Sequence, residues 1–411
     1  MSTKVGLAMA GGGPAGAIYE IGVVHALEQA IEGLSLNDIN VYVGLSAGAF
    51  ITANLANNIP TEQMCRAVVS RDREDHPFVP QTFLTPAVGE FVKSGLALPR
   101  HFLHAVEDFL RNHDDRSVLK SLTRLSGSIP VGVFDNRPIR RYLEKIYARP
   151  DRTDDFRELK KRLFVVAADL DSGEAMIFGK DRMDVPISQA VQASSALPGL
   201  YPPVLIDGRH YVDGVLLKTL HASTILDEGI DLAICINPIV PVDTKTAVEA
   251  GYMRRGKLID RGMPLILSQT FRTLIHSRML AGFDKYADRY KDVDILLIEP
   301  SKEDYRMFFT NIFSFASRKW VIEHAFHSTL ANLAANREHV GQILEKRGFR
   351  LRTELLDPPY PDLWENLSIP MRRSNRHETT QKLDLALDKL ERLLQQRHLS
   401  REETPEEAVT S

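Results

Sequence analysis

Two glycine-rich turns and one Asp-Gly pair are the places where this chain could do chemistry. Gly44–Gly48 reads G-L-S-A-G, a G-x-S-x-G pattern with Ser46 at its centre. Where a strand turns sharply into a helix, such a serine is lifted above the sheet. Its backbone then sits at a helix N-terminus, where developing negative charge is favoured. The earlier stretch G-G-G-P-A-G, Gly11–Gly16, weakens the local fold unless its exposed amides are used. Amides around Gly11, Gly12 and Gly13, with that of Ala47 after the serine, could aim several donors at one oxygen. Pro14 has no N–H to give. A serine nucleophile also needs a base. His210 and His221 lie in the right region of the chain, yet neither occupies a turn that aims its ring. Asp213 is better placed, because it ends the short apolar run in G-R-H-Y-V-D-G and precedes Gly214, a turn that presents a carboxylate at a strand end.

Other uses of a glycine loop fit less well. A phosphate-binding P-loop requires Lys and Ser or Thr after its last glycine, whereas Gly16 is followed by Ala17 and Ile18. Gly11, Gly13 and Gly16 do match the dinucleotide spacing G-x-G-x-x-G. The acid that should hold the ribose, however, belongs at the end of the next strand, and Asn37 and Asp38 stand before that strand.

The elements that must position these residues are legible in the apolar periodicity. Lys4–Met9 reads as a buried strand and Ala17–Glu32 as a helix; Asn40–Leu45 and Ala49–Asn58 repeat the pattern. Two strand-loop-helix units in succession imply parallel strands, since a crossover helix is their usual connection. Residues 72–131 are irregular and rich in Pro and Phe, and are expected to form an insertion that could cap a site. Phe78, Phe83, Phe91, Leu96 and Phe102 within it could line an acyl channel or simply be core. The α/β rhythm resumes with expected strands at 162–170, 208–214, 231–240 and 293–300, and expected helices at 184–198, 264–286 and 318–346. The fold class that follows is a three-layer α/β sandwich with a mostly parallel central sheet, its active site at the strand C-termini, and a helical C-terminal extension. The domain boundaries expected are 1–348 and 349–411. In the extension, Leu383, Leu387, Leu390 and Leu394 share one helical stripe that could pack back, pair with a second copy, or lie on a membrane.

Composition bounds the partners. The 411 residues carry 51 basic and 54 acidic side chains, a net charge of -3, so no nucleic-acid partner is expected. Basic clusters at 137–141, 160–162, 254–261 and 372–376 read as solvated faces, although peripheral contact with an anionic membrane surface would use them. Cys65 and Cys235 are far apart and fit no zinc or redox spacing; His101, His104 and His113 form no ligand set. No metal, no cofactor and no calcium dependence are expected. The opening run is too short and glycine-rich for a signal peptide, and no apolar run reaches about 18 residues. A cytoplasmic protein is the expectation.

A glycine loop after the first strand, G-x-S-x-G after the next, the block A-S-S-A-L-P-G-L-Y-P-P-V from Ala193 to Val204, and a later Asp-Gly occur in this order. Together they resemble the patatin-like phospholipase family over about Lys4–Pro300. The resemblance implies acyl transfer by a Ser-Asp dyad, with Ser46 as nucleophile, Asp213 as general base, and Gly11, Gly12, Gly13 and Ala47 as the oxyanion hole. Gly16, Gly44, Gly48, Gly214 and Pro198 would shape these motifs. It implies a lipid or acyl-ester substrate and hydrolysis through an acyl-enzyme; transfer to another acceptor and lipid binding without turnover are the alternatives. Ala15 stands where the family loop carries Arg or Lys, and Val215 where Gly or Ala follows Asp-Gly.

Overall fold

The computed structural model of the chain describes residues 3–69, 85–87, 131–249, 258–259, 262–305, 307 and 315–367. The expected insertion (85–87 and 131 apart), the leucine stripe after 381 and the basic runs at 254–257 and 372–376 lie outside the described residues. The chain divides into two compact units, Met1–Pro361 and Asp362–Ser411. In the second, a helical turn spans Leu363–Asn366, and the Asp362 side chain caps it by accepting from the Trp364 amide at 2.7 Å.

The first unit opens with β1 (Val5–Met9), α1 (Gly13–Ala30), β2 (Ile31–Glu32), β3 (Val41–Gly44), α2 (Ala47–Ala56) and α3 (Thr61–Val69). It continues with α4 (Arg137–Tyr147), β4 (Arg162–Asp169), β5 (Ala175–Phe178), α5 (Ile187–Ser194), β6 (Val204–Ile206) and β7 (Arg209–Asp213). Its last part holds α6 (Ser223–Leu226), β8 (Leu232–Ile236), α7 (Lys245–Glu249), α8 (Met263–Arg289), β9 (Asp294–Ile298), α9 (Phe315–Ala335), α10 (Arg337–Lys346) and β10 (Arg350–Leu351).

Eight of these strands form one sheet in the order β6-β7-β4-β3-β1-β8-β9, with β5 also on β4, and β2 pairs with β10 apart from it. β4, β3, β1, β8 and β9 run parallel; β5, β6 and β7 supply the antiparallel pairs. β1, β3 and β8 are apolar throughout and buried at every position, as strands covered on both faces must be. On one face Ala8, Val43, Phe164, Val166 and Cys235 pack against α6 and the Met279–Phe283 part of α8. Leu7 and Met9 alternate with Ala8, so they point to the opposite face, where α2 lies on the sheet and α1 packs against α2 and α9. The result is a mixed α/β sandwich of three layers.

Several expected elements change. The helix expected over 184–198 ends at Ser194, before Pro198, which cannot continue a helix. The helix expected over 318–346 is two, divided at Asn336. Ile31 and Glu32, expected to finish α1, instead pair antiparallel with Leu351 and Arg350. The short strands β5 and β6 and the helix α4 were not among the expected elements, although Ile139, Leu143, Ile146 and Tyr147 of α4 recur at helical spacing and are buried. Among the described residues no helix is long and apolar enough to cross a membrane.

Candidate active site

Register across the sheet brings Ser46 and Asp213 together. Gly44, the last residue of β3, faces Val165 of β4, and Asp213, the last residue of β7, faces Ala167. Val165 and Ala167 both use their other edge for β5. β3 and β7 therefore share one edge of β4, and because they run in opposite directions their C-terminal ends meet head-on. The serine turn leaves one end and the Asp-Gly turn leaves the other.

Between the two ends lies the Val166 carbonyl, which accepts from Ser194 Oγ at 2.6 Å; the same Oγ accepts the Ser46 amide at 2.8 Å. Ser194, the last residue of α5, thus ties the serine turn to the gap in the sheet. Its function escaped the sequence reading, although it belongs to the block Ala193–Val204 that was singled out there. Ser46 has φ 52° and ψ -120°, a region that side-chain-bearing residues avoid and that stores about 1–3 kcal/mol of strain. Gly48 makes this turn possible: a Cβ there would strike the carbonyls of Met9 and Ala10, and its own amide donates to the Ala10 carbonyl at 2.9 Å.

The glycine loop passes directly over the serine. A Cβ added to Gly11 would stand 3.0 Å from the Ser46 Cβ and 3.5 Å from its Oγ. Among the described residues, the amides of Gly11, Gly12, Gly13 and Ala47 reach no backbone or side-chain acceptor, whereas the Gly16 amide is used by the Gly12 carbonyl at 3.0 Å. Gly13 and Ala47 begin α1 and α2, so two helix N-termini with unsatisfied donors flank Ser46. Gly44 ends β3, and Gly214 opens the turn after β7.

Asp213 is 2% exposed, and its Oδ1 accepts the Val215 amide at 3.0 Å. Burial raises its carboxyl pKa to about 7, opposed by the Val215 amide and the Ser46 hydroxyl, which favour the charged form. It is Val215's backbone that serves Asp213, so the departure from Gly or Ala leaves this bond intact; its side chain faces the cavity. His210 is exposed on β7, and His221 is buried with its pKa lowered to about 3 by desolvation. Neither lines the cavity that holds Ser46.

That cavity has a volume of about 550 Å³. Ser46, Asp213 and Gly11–Gly13 form its polar floor; Phe50, Leu197, Pro198, Ile239, Leu267 and Phe271 give it largely apolar walls. α8 contributes a long wall and the cation Arg272, neither of which the sequence motifs indicated. Met263, Leu267 and Phe271 line the cavity and are also 64%, 46% and 44% exposed, so they form its rim. Among the described residues no group of three or more His, Cys, Asp or Glu is placed to hold a metal ion. A strained buried serine beside a carboxyl titrating near neutrality, with free amides over it, can support nucleophilic attack on an ester and hold the resulting oxyanion.

Solved structures with likeness to this chain include VipD from Legionella pneumophila, 15% identical with 84% of this chain and 80% of that one covered, at a TM-score of 0.32. Another is the heterodimeric ExoU-SpcU complex from the type III secretion system of Pseudomonas aeruginosa, 14% identical over 92% and 71%, at a TM-score of 0.28. The family model for patatin-like phospholipases matches residues 7–223, from β1 through the glycine loop, the serine turn and the Asp-Gly turn to the start of α6. With that match over more than half of its length, this chain belongs to the patatin-like phospholipase family.

Proposed function

We propose that this protein is a lipid acyl hydrolase that works through a Ser46-Asp213 dyad. The observation that carries the reading is the head-on meeting of β3 and β7, which places a buried carboxyl at a strained serine on the floor of an apolar cavity. Ionised Asp213 takes the Ser46 proton as Oγ attacks the ester carbonyl. The oxygen that becomes negative is held by the amides of Gly11, Gly12, Gly13 and Ala47. Collapse passes the proton from Asp213 to the leaving alcohol and leaves an acyl-enzyme. Water, deprotonated in turn by Asp213, releases the acid and restores Ser46.

The apolar walls suit an acyl chain, and the exposed rim on α8 suits its withdrawal from a lipid surface. Phospholipid, monoacylglycerol and short-chain p-nitrophenyl esters compared side by side test the reading. Ser46→Ala and Asp213→Asn should each lower turnover by about a thousandfold or more in folded protein, because nucleophile and base act as a unit. Ser46→Ala should also abolish fluorophosphonate labelling. Near wild-type turnover in Asp213→Asn would remove the dyad, and wild-type protein inert on the whole panel would remove the hydrolase.

A further inference from the structure

Asn237 is a fully buried polar residue that the mechanism above does not use. It follows β8, and its amide donates to the carbonyl of Ile298, the last residue of β9, at 3.0 Å. Its side chain closes a turn on its own backbone: Oδ1 accepts the Ile239 amide at 3.0 Å, and Nδ2 donates to the Ile239 carbonyl at 3.2 Å. Nδ2 also donates to Glu299 Oε1 at 2.7 Å, and that oxygen lies 3.4 Å from Nε2 of the buried His276 on α8. A buried amide bonded at both its oxygen and its nitrogen cannot rotate without leaving groups unpaired. The turn from Asn237 to Ile239 is therefore held in one conformation.

Both residues carried by that turn reach the surroundings of the dyad. A Cβ on Gly12 would come within 2.8 Å of Pro238 Cγ, and one on Gly16 within 3.2 Å, so the proline ring is pressed against the glycine loop. The next residue, Ile239, packs with Val215 and Ile275 and lines the cavity of Ser46. Val215 is the residue whose amide serves Asp213 Oδ1. Resting on the hydrolase reading above, we propose that Asn237 is a positioning residue for oxyanion stabilisation. Through Pro238 it fixes the amides of Gly11, Gly12 and Gly13 over Ser46, and through Ile239 and Val215 it steadies Asp213. Donors stabilise a developing oxyanion to the extent that they are already in place. A run of three glycines has the freest of backbones, so its order must come from what packs against it. Asn237, Pro238, His276 and Glu299 all lie beyond the residues that the family model covers.

The test compares wild type with Asn237→Ala, Glu299→Ala and Glu299→Gln on a soluble p-nitrophenyl ester and on a trifluoromethyl ketone of matching chain length. The ketone carbon takes Ser46 Oγ, its oxygen becomes the oxyanion, and the Ser46 proton passes to Asp213. A loosened loop predicts that Asn237→Ala lowers kcat by about tenfold to a hundredfold with KM within about threefold, and weakens ketone binding by a similar factor. Glu299→Ala should lower kcat in the same manner, and Glu299→Gln, which keeps an acceptor for Asn237 Nδ2, should recover to within about threefold of wild type. The share of each preparation that fluorophosphonate titrates at completion separates positioning from folding: a fall in kcat that only matches a fall in that share would overturn the proposal. So would kcat and ketone affinity within about twofold of wild type in Asn237→Ala. If Asn237→Ala does not fold, the Glu299 pair decides by the same readouts, and equal kcat in Glu299→Ala and wild type overturns it. Wild-type protein inert toward both ester and ketone would instead count against the hydrolase reading itself.

Discussion

In the proposed mechanism Asp213 sets the chemistry at the scale of single residues. An ordinary aspartate, titrating near 3.9, is a poor acceptor for a hydroxyl proton. Burial that lifts its pKa to about 7 brings the base into the range where proton transfer and ionised population are balanced. The carboxyl must be ionised to act, so kcat/KM on a neutral short-chain ester should fall about tenfold per pH unit below 7 and level off above it. A profile that stays flat from pH 5 to 8 would remove Asp213 as the base. Ser194 acts at the same scale as a positioning residue. Its hydroxyl satisfies both the Val166 carbonyl and the Ser46 amide. Ser194→Ala leaves both buried groups without a partner and should cost about 1–3 kcal/mol of stability, measured by urea unfolding. It should also slow fluorophosphonate labelling of Ser46, because nothing then holds the strained turn. Unchanged labelling would reduce Ser194 to a structural role.

At the scale of elements, α8 is the part whose behaviour differs most from an ordinary surface helix. Met263, Leu267, Phe271 and Leu274 are all exposed, and at ~100° per residue they fall within about 80° of arc. The stripe runs beside the cavity-facing side that carries Ser268, Arg272 and Ile275. Under the proposed lipid hydrolysis, the leucine and phenylalanine exposed at the rim of this apolar cavity are the surface that would meet the lipid phase. Leu274 belongs to the stripe without lining the cavity. Leu274→Glu should therefore lower hydrolysis of vesicle lipid by about tenfold while turnover of a soluble p-nitrophenyl ester stays within about twofold. Equal effects on both substrates would separate the stripe from lipid contact.

For the whole molecule, buried ionisable groups couple stability to pH. Glu20 in α1 is fully buried, neither carboxyl oxygen has a hydrogen-bond partner among the described residues, and burial holds its pKa well above the usual carboxylate value. A carboxyl with a raised folded pKa stabilises fully at acid pH and loses that contribution as pH rises through the folded pKa. Both Glu20 and Asp213 have this sign. His25 and His221, lowered to about 4 and about 3 by burial, have the opposite one: their contribution is complete above about 6.5 and is lost as pH falls. Differences between variant and wild type isolate the acids. Glu20→Gln and Asp213→Asn should each gain stability relative to wild type as pH rises from 5 to 8, the Asp213 gain levelling just above 7 and not exceeding ~4 kcal/mol. Parallel unfolding curves across that range would exclude the linkage.

Much of this molecule is local and therefore legible in its residues. β1, β3 and β8 announce themselves as continuous apolar runs, and the turns at Gly11–Gly13 and Gly44–Gly48 by glycines that only close backbone approach requires. The order of four motifs was enough to point to the family. Element ends were less legible: α5 stops at Ser194, short of Pro198, and α1 yields to β2 because tertiary pairing and not periodicity fixes that boundary. What the tertiary structure alone decided is the meeting of distant parts. Asp213 faces Ser46 because β3 and β7 occupy one edge of β4 in opposite directions, and Ser194 fills the gap between them. Arg272 reaches the glycine loop because α8 packs alongside. Strand register and helix packing depend on contacts between residues far apart in the chain, and no local preference of the backbone encodes them.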